Sequence, residues 1–223
     1  LVLYFHNDPI SMDGSRSVKE RIFLLKSCEK IVFNSEWSKK QFLKNLESFY
    51  HKSRKLIVIH QSINETKVDI SKKKKIISFV GKLNSAKGYD IFCDAIVRIL
   101  NKYPDWKAVV AGDEPREIIK VNHKNLDNLG FQKHDQILDL FKKTSIAVAC
   151  SRWEEPFGRT SLEAASRGCA VVISNRGGLP ETITNGVILR KLDSVNLFNS
   201  ISKLIENKKF LLDLQTKSIK NFY

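Results

Sequence analysis

Residues 154–168 have the clearest capacity for chemistry, and they read EEPFGRTSLEAASRG. Glu155 and Glu163 in this stretch are separated by seven residues. Pro156 cannot lie in a helix interior, whereas the residues from Thr160 onwards favour a helix, so a loop that becomes a helix is predicted. One carboxylate would then precede a helix N-terminus, whose first N–H groups have no partner in the helix. The alternative is that both acids simply face solvent.

Short apolar strands and amphipathic helices alternate along most of the chain. This alternation predicts an α/β protein whose parallel sheets are covered by helices on both faces. Apolar periodicity is missing at 61–73, which is therefore predicted to be a linker. We predict the rear part of one doubly wound domain at 1–60 and a nearly complete second domain at 74–223. Ser35 is predicted to cap a helix over 36–46.

Charged or glycine-containing turns follow several predicted strands of the second domain. In parallel sheets, ligands bind beyond the carboxyl ends of the strands, where helix N-termini point. One turn carries Lys82 and Lys87, and another carries Gly177 and Gly178. Two lysines and free helix N–H groups in one crevice would form an anion site, and a diphosphate is the anion that we expect. Ordinary surface lysines and a glycine-based tight turn are the alternatives.

The formal net charge is +14, with basic clusters at 51–55 and 72–75. A solvated lysine-rich surface is one interpretation, and attraction to phosphates is the other. The sequence lacks interleaved aromatics and any recognition-helix pattern, so a nucleic-acid partner is not expected. No apolar run approaches the roughly 18 residues of a membrane span.

The cysteines and histidines do not show the spacing of metal ligands. Buried, reduced thiols are predicted for the four cysteines, which favours a cytoplasmic protein. These cysteines are Cys28, Cys93, Cys150 and Cys169. His60, His123 and His134 receive no role, and no metal or cofactor is expected because no Asp-x-Asp-like pair is present.

Taken in order, these pieces resemble the retaining glycosyltransferases of family four. Residues 155–168 resemble the E-x7-E signature, and 175–183, NRGGLPETI, resemble the Gly-Gly-x-Pro-Glu turn that follows it. Residues 79–92, FVGKLNSAKGYDIF, resemble the first strand and loop of the donor-binding domain. LGF at 129–131 resembles the loop that meets the nucleobase, and LYFHND at 3–8 resembles a strand ending in a histidine that faces the cleft.

The resemblance covers nearly the whole chain and implies the GT-B fold, in which two Rossmann-like domains face a cleft. Because the chain opens on an apolar strand, we expect the first domain to be only partly present, with most of the N-terminal domain missing. The helix-and-loop pattern above is consistent with this arrangement.

The resemblance also implies roles for individual residues. Glu155 would orient the donor sugar, and Glu163 would bind both ribose hydroxyls with its two carboxylate oxygens. The implied catalytic set is Glu155, His6, Lys82 and Lys87. The implied donor-binding set is Gly81, Phe131, Phe157, Gly158, Arg159, Thr160, Glu163, Gly177 and Gly178. Three positions keep an alternative: His6 as a structural histidine, Phe131 as a core residue, and Glu181 as either a helix cap or a site residue.

The implied activity is that of a retaining glycosyltransferase of the hexosyltransferase type. It would move a sugar from a nucleoside diphosphate sugar, of UDP or GDP type, to a hydroxyl of a glycan or glycolipid acceptor in cell-envelope polysaccharide or lipopolysaccharide assembly. The alternatives are a non-catalytic nucleotide-sugar-binding subunit and, less favoured, a basic nucleic-acid-binding protein. We expect a cytoplasmic location with peripheral contact to the anionic inner face of a membrane.

Overall fold

Two parallel sheets carry the architecture in the computed structural model, which describes residues 1–50, 52–64 and 66–220. Within these residues the first sheet has three strands in the order β1-β2-β3, and the second has six in the order β6-β5-β4-β7-β8-β9. The strands are β1 (Val2–Phe5), β2 (Lys30–Phe33), β3 (Leu56–Val58), β4 (Lys74–Val80), β5 (Lys107–Ala111), β6 (Leu126–Asn128), β7 (Thr144–Ala149), β8 (Ala170–Ser174) and β9 (Val187–Leu189).

Helices connect the strands in both sheets. The α-helices are α1 (Val18–Ser27), α2 (Glu36–Leu43), α3 (Glu47–Tyr50), α4 (Tyr89–Lys102), α5 (His134–Lys143), α6 (Arg159–Ser166), α7 (Ser194–Glu206) and α8 (Lys208–Lys220). Short 3-10 turns occur at Pro9–Ser11, Ile70–Lys72, Ser85–Lys87 and Leu179–Thr182. All strand pairs in the described residues are parallel, which confirms the predicted α/β class.

The central strands of the second sheet are buried on both faces. Ile146 and Val148 of β7 pack with α4 and α7, whereas Ala147 between them packs with α5 and α6. In β8 the same alternation places Val172 on the α4 face and Val171 on the α6 face. Successive side chains of a strand point to opposite faces, so an unbroken apolar run is what a doubly covered strand requires.

The path of the chain changes from the first sheet to the second between β3 and β4. Lys73, at the end of this connection, donates hydrogen bonds from Nζ to the carbonyl oxygens of Phe141 (2.7 Å) and Arg167 (2.6 Å). Burial lowers the pKa of the Lys73 ammonium. The connection is thus attached to the second sheet before β4 begins, while the exact limits of a linker at 61–73 stay a prediction.

Local signals predicted some helix ends and missed others. Ser35 caps α2 as predicted, with its side chain accepting a hydrogen bond from the N–H of Ser38. The helix ends at Leu43 instead of continuing to 46, and Asn45 has a φ of 67°, a left-handed conformation that cannot continue a helix. All four cysteines lie in the described ranges and are buried and free, which confirms that part of the prediction. No helix in the described residues has the length and apolar content needed to cross a bilayer.

Replacing Ile77 with alanine is expected to lower the free energy of unfolding by about 2–5 kcal/mol, because the substitution leaves a cavity in the core. Ile77 lies in β4 and is fully buried. Urea denaturation followed by circular dichroism measures the change. Ile188→Ala is the matched control, because Ile188 is 45% exposed on the edge strand β9, and a much smaller loss is expected there. Equal losses at the two positions would contradict the core placement of Ile77.

Candidate functional site

A cavity of ≈ 270 Å³ lies where the carboxyl ends of the two sheets face each other. Both parts of the chain contribute to its wall. The first part provides His6, Asn7, Asn34 and Gln61, and the second provides Phe79, Val80, Gly81, Lys87, Ala149, Ser151, Glu155, Pro156, Phe157, Gly158, Arg159, Thr160, Ser161 and Leu179. Strand ends from two parallel sheets therefore form one site, as expected for ligand binding in such folds.

Glu155 is held in place through its own backbone. The Gly178 N–H donates to the Glu155 carbonyl oxygen (2.6 Å), and the Gly177 N–H donates to the Glu154 carboxylate (2.5 Å). Gly177 has a φ of 59°, and a Cβ there would lie 2.1 Å from the Glu155 carbonyl oxygen. Glycine is required at this position because the two turns touch backbone to backbone. Gly177 and Gly178 therefore act behind Glu155, outside the cavity lining that the described residues form.

Lys87 reaches the cavity on a rigid turn. The Lys87 N–H donates to the side chain of Asn84 (3.0 Å). Gly88 follows with a φ of 72°, and a Cβ there would lie 1.9 Å from the carbonyl oxygen of Cys150, the residue directly after β7. The turn thus packs directly on the strand that leads to Glu155, and only glycine permits that approach.

Arg152 ties the loop after β7 to the start of α4. Its guanidinium donates to both carboxylate oxygens of Asp90, at 2.5 and 2.6 Å. This hydrogen bonding lowers the pKa of the Asp90 carboxyl. The N–H groups of Arg152 and Trp153 both donate to the carbonyl oxygen of Ala86. The loop that leads to Glu155 and the turn that carries Lys87 are therefore held together by hydrogen bonds.

The outcome is an ion pair in the cavity wall between Lys87 Nζ and Glu155 Oε1, at 2.5 Å. The Glu155 side chain is 14% exposed and that of Lys87 is 32% exposed. Both groups are accessible from the cavity, so a ligand meets a cation and a carboxylate side by side. Such a pair suits a ligand that carries both an anionic group and hydroxyl groups.

The N-terminus of α6 points to the same cavity. Its N-cap is Gly158, with a φ of 106° and no side chain to cap the helix. A Cβ at this position would lie 2.3 Å from Leu179, so a capping serine or aspartate would not fit without displacement. Arg159 and Thr160, the first two residues of the helix, line the cavity. Their N–H groups can therefore bind an anion.

Glu163 lies one turn deeper and is buried. Its Oε1 accepts hydrogen bonds from Arg159 Nε (2.7 Å) and from His134 Nε2 (2.9 Å). The sequence-based expectation that both carboxylate oxygens bind ribose does not fit this geometry, because one oxygen is already occupied by the chain's own donors. Oε2 is the oxygen that remains, since the described residues place no hydrogen bond on it.

Sequence reasoning assigned nothing to His134, although the structure places it against Glu163. The residue is the first of α5, whose N-terminus lies beyond the carboxyl end of β6. Its position just after the 129–131 loop was the available signal, because helix starts at that end of a parallel sheet converge on the ligand. Metal-ligand spacing cannot identify a histidine such as His134, whose partner is a carboxylate.

His6 lies in the cavity wall, as the resemblance implied. Its Nδ1 is 3.2 Å from Gln61 Nε2, and its ring meets Tyr4 edge-on with centroids 4.2 Å apart. Asn34 donates to its carbonyl oxygen (2.9 Å). The first sheet thus presents a fixed imidazole opposite Lys87 and Glu155.

The predicted residues divide into two groups in the structure. The cavity lining brings together His6, Gly81, Lys87, Glu155, Phe157, Gly158, Arg159 and Thr160. Outside the lining formed by the described residues lie Lys82, Phe131, Glu163, Gly177 and Gly178. Lys82 and Phe131 are exposed, Phe131 to 73%. The core alternative for Phe131 is therefore wrong, and its contact with a nucleobase stays a prediction.

The thiol nearest this region is structural. Cys150 donates from Sγ to the carbonyl oxygen of Gly88 (3.2 Å), and burial raises its pKa to about 12. A protonated, buried thiol is a poor nucleophile, so Cys150 supports the turn and takes no part in covalent chemistry.

Residues 60–221 match the family model for Glycosyl transferases group 1. The chain belongs to this family. Among its relatives, the putative glycosyltransferase YtcC of Bacillus subtilis is 30% identical over 161 residues, which is 66% of this chain and 40% of YtcC. The lipopolysaccharide core biosynthesis mannosyltransferase LpsB of Rhizobium meliloti is 32% identical over 123 residues, which is 51% of this chain and 35% of LpsB. The chain thus spans less than half the length of these two relatives.

Two solved structures share the fold. The Anabaena protein HepE in complex with UDP-glucose superposes with a TM-score of 0.80 at 20% identity, covering 100% of this chain and 67% of HepE. The C-terminal domain of the group 1 protein LpcC from Francisella tularensis gives 0.59 at 27% identity, covering 65% of this chain and 82% of that domain. The GT-B architecture predicted from the sequence is confirmed.

Replacing Lys87 with alanine is expected to weaken binding of a nucleoside diphosphate by about 1.5–3 kcal/mol, the range for a charge-assisted hydrogen bond. Isothermal titration calorimetry on the folded variant measures the change. Lys82→Ala is the matched control, because Lys82 is exposed on the same turn, outside the described lining. Unchanged affinity in Lys87→Ala would show that this lysine does not bind the ligand. Equal losses of affinity in the two variants would show that Lys82 binds it as well.

Proposed function

We propose that this chain forms the donor-binding part of a retaining glycosyltransferase that moves a sugar from a nucleoside diphosphate sugar to an acceptor hydroxyl. The observation that carries the proposal is the Lys87–Glu155 pair beside the uncapped N-terminus of α6. These groups complement the diphosphate and the sugar hydroxyls of such a donor. Solved structures of HepE with UDP and glucose, and with UDP-glucose, support this choice of ligand class.

Binding of the diphosphate would use Lys87 and the first N–H groups of α6. In this reaction the bond between the anomeric carbon and the phosphate oxygen breaks, so negative charge grows on the leaving diphosphate. A cation and a helix N-terminus fixed at that point stabilise the transition state more than the ground state. The turn and loop contacts that hold Lys87 in place reduce the reorganisation that this stabilisation needs.

Binding of the sugar and of the nucleoside would use the two glutamates. Glu155 would accept hydrogen bonds from sugar hydroxyls and orient the anomeric carbon. Glu163 would bind a ribose hydroxyl through Oε2 while Arg159 and His134 hold Oε1. His6, on the opposite wall, would meet the sugar or the acceptor. The proposed reaction has no covalent glycosyl–enzyme step and uses no metal or cofactor.

The two glutamates are expected to separate kinetically. Glu155→Gln should lower kcat strongly, by about 100-fold, because misplaced reacting atoms lose rate. Glu163→Gln should chiefly raise the donor KM, because ribose contacts are similar in the ground and transition states. Steady-state kinetics of the full-length protein test both, with product anomers assigned by NMR.

Glu206→Gln is the control for these variants, because its carboxylate bonds to Lys102 and Tyr103 at a surface remote from the cavity lining. Near-normal turnover of Glu155→Gln would refute its role, and an inverted product would refute retention. Saturable donor binding without any transfer by the full-length protein would instead favour the non-catalytic nucleotide-sugar-binding subunit.

Cell-envelope glycan assembly is the process that we propose for this activity. A relative from Rhizobium meliloti carries the name of a lipopolysaccharide core mannosyltransferase, and a Bacillus subtilis relative is named spore coat protein SA. The acceptor would be a glycan or glycolipid hydroxyl. We propose a cytoplasmic protein that contacts the inner face of the membrane, with the net charge of +14 as the physical reason.

Flotation with vesicles tests the membrane contact. Binding to vesicles that contain anionic lipid is expected at low salt and should fall at high salt, because screening shortens the range of attraction to about 3 Å at 1 M. Neutral vesicles are the control. Equal binding to both vesicle types would show that charge does not cause the association.

A further inference from the structure

Glu181, in the turn after β8, bonds to the other part of the chain. Its Oε2 accepts a hydrogen bond from the N–H of Glu36 (2.7 Å), and its Oε1 accepts one from the N–H of Trp37 (2.9 Å). Glu36 and Trp37 are the first two residues of α2, which belongs with the first sheet. The carboxylate therefore bonds to the first part of the chain and does not cap the short turn in which it lies, while a role of Glu181 in the site stays a prediction.

This contact supplies what the start of α2 lacks. The first N–H groups of a helix have no partner within it, and the helix dipole is positive there. Ser35 satisfies only the N–H of Ser38 from within α2 (2.9 Å). Glu181, whose side chain is 22% exposed, satisfies two more with a full negative charge. Hydrogen bonds to an ionised acceptor are about twice as strong as neutral ones.

Neighbouring contacts connect the start of α2 to the candidate site. The hydroxyl of Ser35 donates to the carbonyl oxygen of Pro156 (2.5 Å), which directly follows Glu155. A Cβ on Gly178 would lie 2.9 Å from the Ser35 side chain, so the glycine turn and the start of α2 are in close contact. The start of α2 therefore packs directly against the loop that carries Glu155.

His60 attaches the inter-sheet connection to the same carboxylate. Its Nε2 lies 3.1 Å from Glu181 Oε2, and its ring stacks on Phe157 with centroids 5.6 Å apart. Phe157 lines the cavity one residue before Gly158. Glu181 thus links the start of α2, the end of the first sheet's chain segment and the cavity wall.

We propose that Glu181 is a positioning residue. Its carboxylate binds the start of α2, a contact that we call the clasp, and so fixes the distance between the two walls of the cavity. The consequence for catalysis rests on the proposed function. Lys87, Glu155 and the N-terminus of α6 all belong to the second sheet, so a donor diphosphate binds whether or not the clasp is closed. Transfer needs His6 on the facing wall at the correct distance, and this is what the clasp provides.

The test uses Glu181→Gln in the full-length protein. Spectroscopic labels at Lys26→Cys in α1 and Lys142→Cys in α5 report the distance between the two parts, because both positions are exposed while the four cysteines of this chain are buried. Any cysteine elsewhere in the full-length protein is first replaced by serine. The distance distribution is expected to broaden in the variant. Affinity for UDP or GDP should stay within about twofold, while kcat falls about 10- to 100-fold with the donor KM nearly unchanged.

Glu36→Pro is an independent second variant, made on the α2 side of the clasp. Proline is well tolerated at the first position of a helix and lacks the N–H that donates to Glu181 Oε2. Ser35 before it has extended backbone, with φ −156° and ψ 158°, as proline requires. Combining both substitutions should give less than the sum of their separate effects if they break the same contact.

Glu206→Gln is the matched control, because the carboxylate of Glu206 bonds only within the second part of the chain in the described residues. Unchanged distances and kcat in both Glu181→Gln and Glu36→Pro would overturn the proposal, as would a loss of nucleotide affinity equal to the loss of kcat. If Glu181→Gln fails to fold, Glu36→Pro decides alone. A wild-type protein that transfers no sugar refutes the proposed function, and the distance measurement then still tests the clasp.

Discussion

The backbone contact between Glu155 and the glycine turn at 177–178 is the constraint on which the site depends. A side chain at Gly177 would collide with the Glu155 carbonyl oxygen, and one at Gly178 would collide with both Pro156 and Ser35. Two loops that follow neighbouring strands are thereby locked together. With the two loops held in this way, Glu155 pairs with Lys87 and the N-terminus of α6 faces the cavity. Glu181, which follows the glycine turn, bonds to the start of α2.

The two acidic residues of the signature enter the site already paired. Glu155 is beside Lys87, and Glu163 is between Arg159 and His134. An unpaired buried carboxylate would be costly and would repel a diphosphate. Pairing removes most of that repulsion, so the same acids can serve as hydrogen-bond acceptors next to a bound anion. Arg159, within the signature, thus contributes to this pairing through its contact with Glu163.

Local patterns predicted the strands, the loop-to-helix switch at 155–168 and the glycine turn, because apolar periodicity and backbone requirements are encoded within a few residues. Partners that are distant along the chain could not be found this way. Glu181 and Glu36 are 145 residues apart, and nothing near either one indicates the other. Lys82 and Lys87 both flank glycines, and only the folded turn distinguishes the exposed lysine from the one in the cavity.

The arrangement around Glu163 has a consequence for selectivity among nucleotides. With Oε1 engaged by Arg159 and His134, a single carboxylate oxygen is left for the pentose of the donor that we propose. One acceptor oxygen can take a hydrogen bond from either of two adjacent hydroxyls. Binding therefore requires one hydroxyl of the pentose but not both. A deoxyribose that keeps one of the two hydroxyls can still satisfy it. Discrimination against such a sugar must then come from the shape of the pocket.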